Sequence, residues 1–78
     1  MNGYVIYLSS NKSKGEIHES YGYWRGDIYR VQGETFPITD IGVTFDTKVY
    51  KSKKRAENSA EKIFDKCSYV VSWFVEEI

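Results

Sequence analysis

Ser52-Lys53-Lys54-Arg55-Ala56-Glu57-Asn58-Ser59-Ala60-Glu61-Lys62-Ile63-Phe64-Asp65-Lys66-Cys67 is the stretch that decides the architecture. Ala56, Ala60, Ile63, Phe64 and Cys67 fall at i, i+4, i+7, i+8 and i+11, a single apolar stripe at helical spacing. Ser52 is the natural N-cap, because its hydroxyl can accept from the backbone N–H two or three residues on. Lys62 and Lys66 put positive charge towards the far end, where it complements the helix dipole. Aromatic and β-branched runs flank the stretch on both sides, so the pattern predicts one helix packed on a sheet.

Immediately before it, Val43, Phe45, Thr47 and Val49 alternate with Thr44, Asp46, Lys48 and Tyr50, a period of two that reads as a half-buried third strand. Gln32 to Asp40 contains Gly33 and the only proline, Pro37, and reads as a connecting loop with Phe36 and Ile38 tucked inward. Glu16 to Val31 is rich in strand formers but is interrupted by Gly22 and Gly26. That leaves two options: one bulged strand, or a hairpin turning near Arg25-Gly26-Asp27. Tyr4 to Leu8 is a first strand ending in a polar loop from Ser9 to Gly15. After the helix, Tyr69, Val71, Trp73 and Val75 form the better core face of a last strand, with Val70, Ser72, Phe74 and Glu76 opposite.

The expectation is an α+β fold in one domain, residues 1–78: a small mixed, mostly antiparallel sheet of four to five strands, with a single helix at about 52–67 on one face and element order β-β-β-α-β. Short connections around the helix make the third and last strands parallel through a right-handed crossover. The pattern leaves open whether the last strand pairs beside the third strand or beside the first.

At 78 residues, most of the chain must contribute to one core, which leaves little sequence for an appended function. Eleven basic and eleven acidic side chains cancel, which argues against a protein held to nucleic acid mainly by phosphate charge. The cancellation hides an asymmetry: residues 48–55 hold five basic side chains and no acidic one. The lone cysteine, Cys67, excludes an internal disulfide and fits a reducing cytoplasm, and its place on the helix stripe makes it a buried apolar residue. No signal-peptide order and no apolar run long enough to span a membrane is present, so the triplet Asn11-Lys12-Ser13 is not read as a glycosylation site.

Lys51, Lys53, Lys54 and Arg55 crowd the helix start, where positive charge is unfavourable by a few tenths to about 1 kcal/mol each. Either an anionic partner answers them, or Glu76 and Glu77 do, if the last strand returns beside the helix start, or they are simply solvated; the sequence favours internal pairing or plain solvation over a partner. Tyr21, Tyr23, Trp24, Arg25, Tyr29 and Arg30 combine the residue types enriched in binding hot spots. They are read either as contact surface, for protein or for stacked bases, or as rings filling the core. One helix shields about two strands, so it cannot cover all thirteen aromatics, and some must lie on the other face. Val5, Tyr7, Tyr50 and Phe74 are expected there as an open aromatic patch for partner binding. His18 and Cys67 are the only histidine and thiol, too little for a Cys-His enzyme or a zinc site, so neither enzyme activity, metal nor cofactor is expected. Arg25-Gly26-Asp27 also matches a short integrin-adhesion triplet, with nothing else to indicate secretion.

Val49-Tyr50-Lys51-Ser52-Lys53-Lys54-Arg55-Ala56-Glu57, a strand ending in an aromatic, a Ser cap, a basic turn and then Ala-Glu, resembles small proteins of bacteriophages and mobile elements. In these a sheet, one helix and a terminal strand form the whole product, and several anti-CRISPR proteins are among them. The resemblance covers roughly the last thirty residues. It implies a non-enzymatic inhibitor that occupies the surface of a host defence or regulatory complex, protein or ribonucleoprotein, in the bacterial cytoplasm. Anti-CRISPR proteins share no common sequence, so it carries over no functional residue. Two other readings stand beside it: a nucleic-acid-binding module built on residues 51–55 and the aromatics of 21–30, and a self-assembling structural protein such as a homodimer.

Overall fold

The computed structural model describes residues 3–9, 22–67 and 70–78. The polar loop expected after Ser9, the segment carrying His18 and Tyr21, the Asn11 triplet and Tyr69 lie outside the described residues. The elements run β1 (Tyr4–Ser9), β2 (Tyr23–Val31), β3 (Glu34–Asp40), α1 (Lys53–Lys66) and β4 (Ser72–Glu77). The strands form one four-stranded sheet in the order β3-β2-β1-β4. The α+β class and the order β-β-β-α-β are thus as the sequence predicts.

The helix forms where its pattern places it. Ser52 caps it in an extended conformation, its side chain accepting from the Arg55 N–H at 3.1 Å. Cys67 ends it, also extended, with its N–H donated to the Ile63 carbonyl at 2.9 Å. Ala56, Ala60, Ile63 and Cys67 are buried, whereas Phe64, expected on the same stripe, lies at its margin and is exposed.

Helix and sheet meet through Ile6, Leu8, Trp24, Ala56, Ala60, Ile63, Cys67 and Val70, with Trp73 and Val75 packed against them. Ile6 and Leu8 are entirely removed from solvent, which contributes about 1.5–3 kcal/mol each. On β4 the expected core face holds for Trp73 and Val75, but not upstream. The strand begins only at Ser72, so Val70 turns into the core and Val71 out to solvent.

Three strand expectations are corrected. Residues 34–40, read as a loop, form β3, and the turn is only Gln32-Gly33. Gly33 and Pro37 misled because both break strands in general. Here Gly33 supplies a positive φ of 82° in a two-residue hairpin, and Pro37 sits on an edge strand, where a missing N–H is tolerated. Conversely, residues 43–49, read as the third strand, form a loop with a turn, and only Tyr50 keeps a ladder contact, a bridge to Tyr4. Finally, β4 pairs with β1, antiparallel and in register from Tyr4↔Glu77 to Ser9↔Ser72, so no pair among the described strands is parallel and the expected crossover between the third and last strands is not formed.

The described part of the 16–31 segment is one bulged strand. Trp24 pairs with Thr39 and Ile28 with Pro37, so Arg25, Gly26 and Asp27 stand opposite Ile38 alone, and Gly26 takes a φ of 93° to allow it. The bulge parts β2 from the start of β1. The chain from Lys48 to Tyr50 fills the gap: Lys48 donates to the Trp24 carbonyl at 2.9 Å, and Tyr50 exchanges both backbone bonds with Tyr4 at 2.8 and 2.9 Å.

Candidate functional site

The loop from Ile41 to Val49 is built from short polar residues that hydrogen-bond to their own backbone. The Thr44 N–H donates to Thr47 Oγ1 at 2.8 Å, and the Thr47 N–H returns to the Thr44 carbonyl at 3.2 Å. The Asp46 N–H donates to Thr44 Oγ1 at 3.2 Å, and that hydroxyl donates to Asp40 Oδ2 at 3.4 Å. Such local bonding offers the backbone an alternative to a strand ladder, which is why the alternating pattern does not become one. Arg25, pushed out by the bulge, ties the two ends of this turn together: Nε lies 3.4 Å from Asp40 Oδ2 and Nη2 lies 3.2 Å from Asp46 Oδ2.

Held in this way, the loop turns its apolar side chains outward. Ile41 is 99 % exposed and Phe45 fully so, while Val43 and Val49 are about half exposed. Val43, Thr44, Phe45, Thr47, Val49 and Ile78 line an open groove of about 630 Å³. Ile78 reaches it because its N–H donates to the Gly3 carbonyl at 2.9 Å. A Cβ at Gly3 would lie 2.5 Å from Val49 Cγ1, so a side chain there would displace that groove wall.

The residues expected to bind a partner are divided by the fold. Trp24 is buried beneath the helix, with Nε1 donating to Tyr50 Oη at 3.1 Å. Tyr50 stands on that same helix side, its hydroxyl 2.7 Å from Ser59 Oγ. It is therefore not on the open face, because the bridge to Tyr4 fixes its orientation. Tyr7 does lie on the face away from the helix but is buried, covered by Tyr23 at a ring distance of 4.9 Å and by Phe74 at 6.5 Å. Tyr23 and Phe74 are half-buried, and the Tyr23 hydroxyl donates to Glu76 Oε1 at 2.9 Å. The expected open aromatic patch is therefore a packed cluster. Arg25 positions the loop, and Tyr21 lies outside the described residues. Tyr29 and Arg30 are exposed on β2, with Tyr29 stacked on Phe36 at 5.5 Å.

Lys51, Lys53, Lys54 and Arg55 are exposed, make no ion pair with any described residue, and have no acid in the helix's first turn. The internal answer expected from Glu76 and Glu77 is missing. β4 does end level with Tyr4, beside the Tyr50 bridge, but Glu76 points to Tyr23 on the opposite face of the sheet. Burial pushes the Cys67 thiol above its ordinary pKa, against a smaller opposing pull from Lys66, so it is a poor nucleophile. Among the described residues no group of three or more His, Cys, Asp or Glu converges as metal ligands, and no helix is long and apolar enough to cross a membrane.

The residues that sequence reasoning missed are Ile41, Val43, Phe45, Val49 and Ile78. The available signal was Thr44-Phe45-Asp46-Thr47, whose hydroxyl and carboxylate side chains favour turns over strands. Comparison with protein-family models, with curated proteins and with solved structures returned no match.

Proposed function

We propose that the protein is a small non-enzymatic binding module that acts by occupying the surface of a partner protein, with the loop from Ile41 to Val49 and the adjoining Ile78 as its contact face. One observation carries this reading. Ile41 and Phe45 are fully exposed on a backbone held by side-chain hydrogen bonds and by Arg25. Apolar side chains left in water are disfavoured, and fixing them in place lowers the ordering cost of docking. In the setting implied by the resemblance to phage and mobile-element proteins, the partner belongs to a host defence or regulatory complex and the outcome is inhibition.

Affinity capture from a bacterial lysate, run with the wild-type chain and with Ile41→Ser/Phe45→Ser, tests this. Both side chains point to solvent, so the variant is expected to fold normally and to lose the co-purifying complex. Equal recovery with both chains would overturn the proposal. A concentration-dependent mass for the wild type alone would transfer the face to self-assembly.

A second reading, a nucleic-acid module, has in its favour the exposed cations at Lys51, Lys53, Lys54 and Arg55, which form no ion pair with a described residue. Its aromatic half is weakened, because Trp24 is buried and Tyr23 is tied to Glu76. Strongly salt-dependent binding to nucleic acid alone would establish it.

A further inference from the structure

We propose that β4 is a docking edge for a second copy of this chain: two β4 strands pair antiparallel about a two-fold axis at Phe74 and join the two sheets into one. No residue of the 41–49 loop takes part, so the proposal stands apart from the contact face described above. Among the described strands the sheet ends at β3 and β4. Ile78 exchanges backbone bonds with Gly3, its N–H donating at 2.9 Å and its carbonyl accepting at 3.4 Å. Backbone groups alternate along an antiparallel strand, so Phe74 and Glu76 also face β1, while Trp73, Val75 and Glu77 turn their N–H and C=O outward. Among the described residues nothing pairs with those outward groups.

The two edges differ. β3 carries Pro37, which has no N–H to give, and it pairs with β2 across the bulge. β4 has neither proline nor lysine and pairs with β1 without a break, so it lacks the devices that keep a strand edge from accepting another strand. The helix adds apolar surface beside it. Ser59, Lys62, Ile63 and Lys66 line a cleft against β2. Phe64 lies about 100° round the helix from Ile63, on the side away from Lys62, and therefore on the flank over β4. Phe64 and Val71, the residue just before the strand, are both nearly half exposed. Lys53 and Glu57 share that flank one turn apart, so their charges balance.

The strand is complementary to itself. With the axis at Phe74, Trp73 stands opposite Val75 of the second copy and exchanges both backbone bonds with it. Phe74 meets its equivalent on the face away from the helix and extends the cluster it forms with Tyr7 and Tyr23. Glu76 comes opposite Ser72 and Glu77 opposite Val71, so no acid faces an acid. Four residues at about 3.4 Å each hold the two Glu76 side chains about 14 Å apart, beyond the screening length of about 8–10 Å. An axis at Val75 would halve that separation. A head-to-tail chain of copies would need β3 to accept β4 where Pro37 withholds a donor, whereas the two-fold pairing is closed.

The test is sedimentation of the full wild-type chain from micromolar to near-millimolar concentration, with amide hydrogen exchange followed by NMR at both ends of the range. The mass is expected to rise from that of one chain to that of two. The Trp73 and Val75 amides should then exchange at least about tenfold more slowly, while those of Phe74 and Glu76, already bonded to β1, hardly change. Ile41→Ser/Phe45→Ser is expected to associate as the wild type does, which separates this edge from the loop. Phe74→Cys supplies a second measurement. Opposed residues of a non-hydrogen-bonded pair lie about 4.5 Å apart at Cα, within disulfide reach, so mild oxidation should link two chains, and Ile41→Cys should give no such link. A single-chain mass at every concentration would overturn the proposal. So would association that leaves the Trp73 and Val75 amides unchanged, or that Ile41→Ser/Phe45→Ser abolishes.

Discussion

At the scale of single residues, Tyr50 does more than bridge to β1. Its hydroxyl accepts from buried Trp24 Nε1 and meets Ser59 Oγ, joining the loop, the sheet and the helix at one oxygen. Tyr50→Phe strands the indole N–H and is expected to cost about 1–3 kcal/mol in denaturant unfolding, the cost of a buried donor without an acceptor. Ser59→Ala leaves that acceptor in place and is expected to cost about 1 kcal/mol or less. None of this was legible in the sequence. Alternation placed Tyr50 on the open face, and only the bridge to Tyr4 explains its true side. Cys67 was legible, because the helix stripe required it to be buried, and it is. The folded state retains a thiol proton that the unfolded chain releases near its ordinary pKa of 9.0. Unfolding then releases protons, so stability falls as pH climbs from that value through the raised folded one. Thermal melts from pH 8 upward are expected to show this decline, and Cys67→Ala should lessen it; an unchanged slope would contradict the assignment.

At the scale of elements, the helix could be read almost to the residue, because a cap, a stripe and a charged end agree with one another. Ser52→Ala removes the hydroxyl that accepts from Arg55 and is expected to cost about 1 kcal/mol. The strands were less legible, since two neighbouring segments exchanged roles. Proline and glycine marked residues 32–40 as loop, yet an edge position and a tight turn accommodate both. A period of two marked residues 43–49 as strand, yet threonine and aspartate found closer partners in their own backbone. The Gln32-Gly33 turn carries one local strain, a φ of 50° at Gln32. Gln32→Asn or Gln32→Gly suits that left-handed conformation better and is expected to raise stability by about 0.5–1 kcal/mol. A lowered denaturation midpoint would contradict the turn geometry.

At the scale of the whole molecule, the aromatic excess that seemed to demand an outside partner is largely used within the fold. Tyr7, Tyr23 and Phe74 pack on one another, Trp24 and Tyr50 lie under the helix, and Tyr29 stacks on Phe36. The most exposed apolar side chains, Ile41 and Phe45, lie instead in the loop between β3 and α1. Phe45→Ser is accordingly expected to leave stability unchanged within about 0.5 kcal/mol, as for other exposed positions. Arg25→Ala is expected to change stability by no more than about 1 kcal/mol, because both its ion pairs are solvent-accessible. By loosening the loop it should nonetheless weaken partner capture. The most direct measurement of the contact face is photocrosslinking from bacterial cells with a photoreactive benzoylphenylalanine in place of Phe45, against a control that carries it at exposed Val31, the last residue of β2. A discrete protein adduct from position 45 and none from position 31 is the expected result. An adduct from position 31 alone, or none from position 45, would contradict the assignment of the loop as the contact surface.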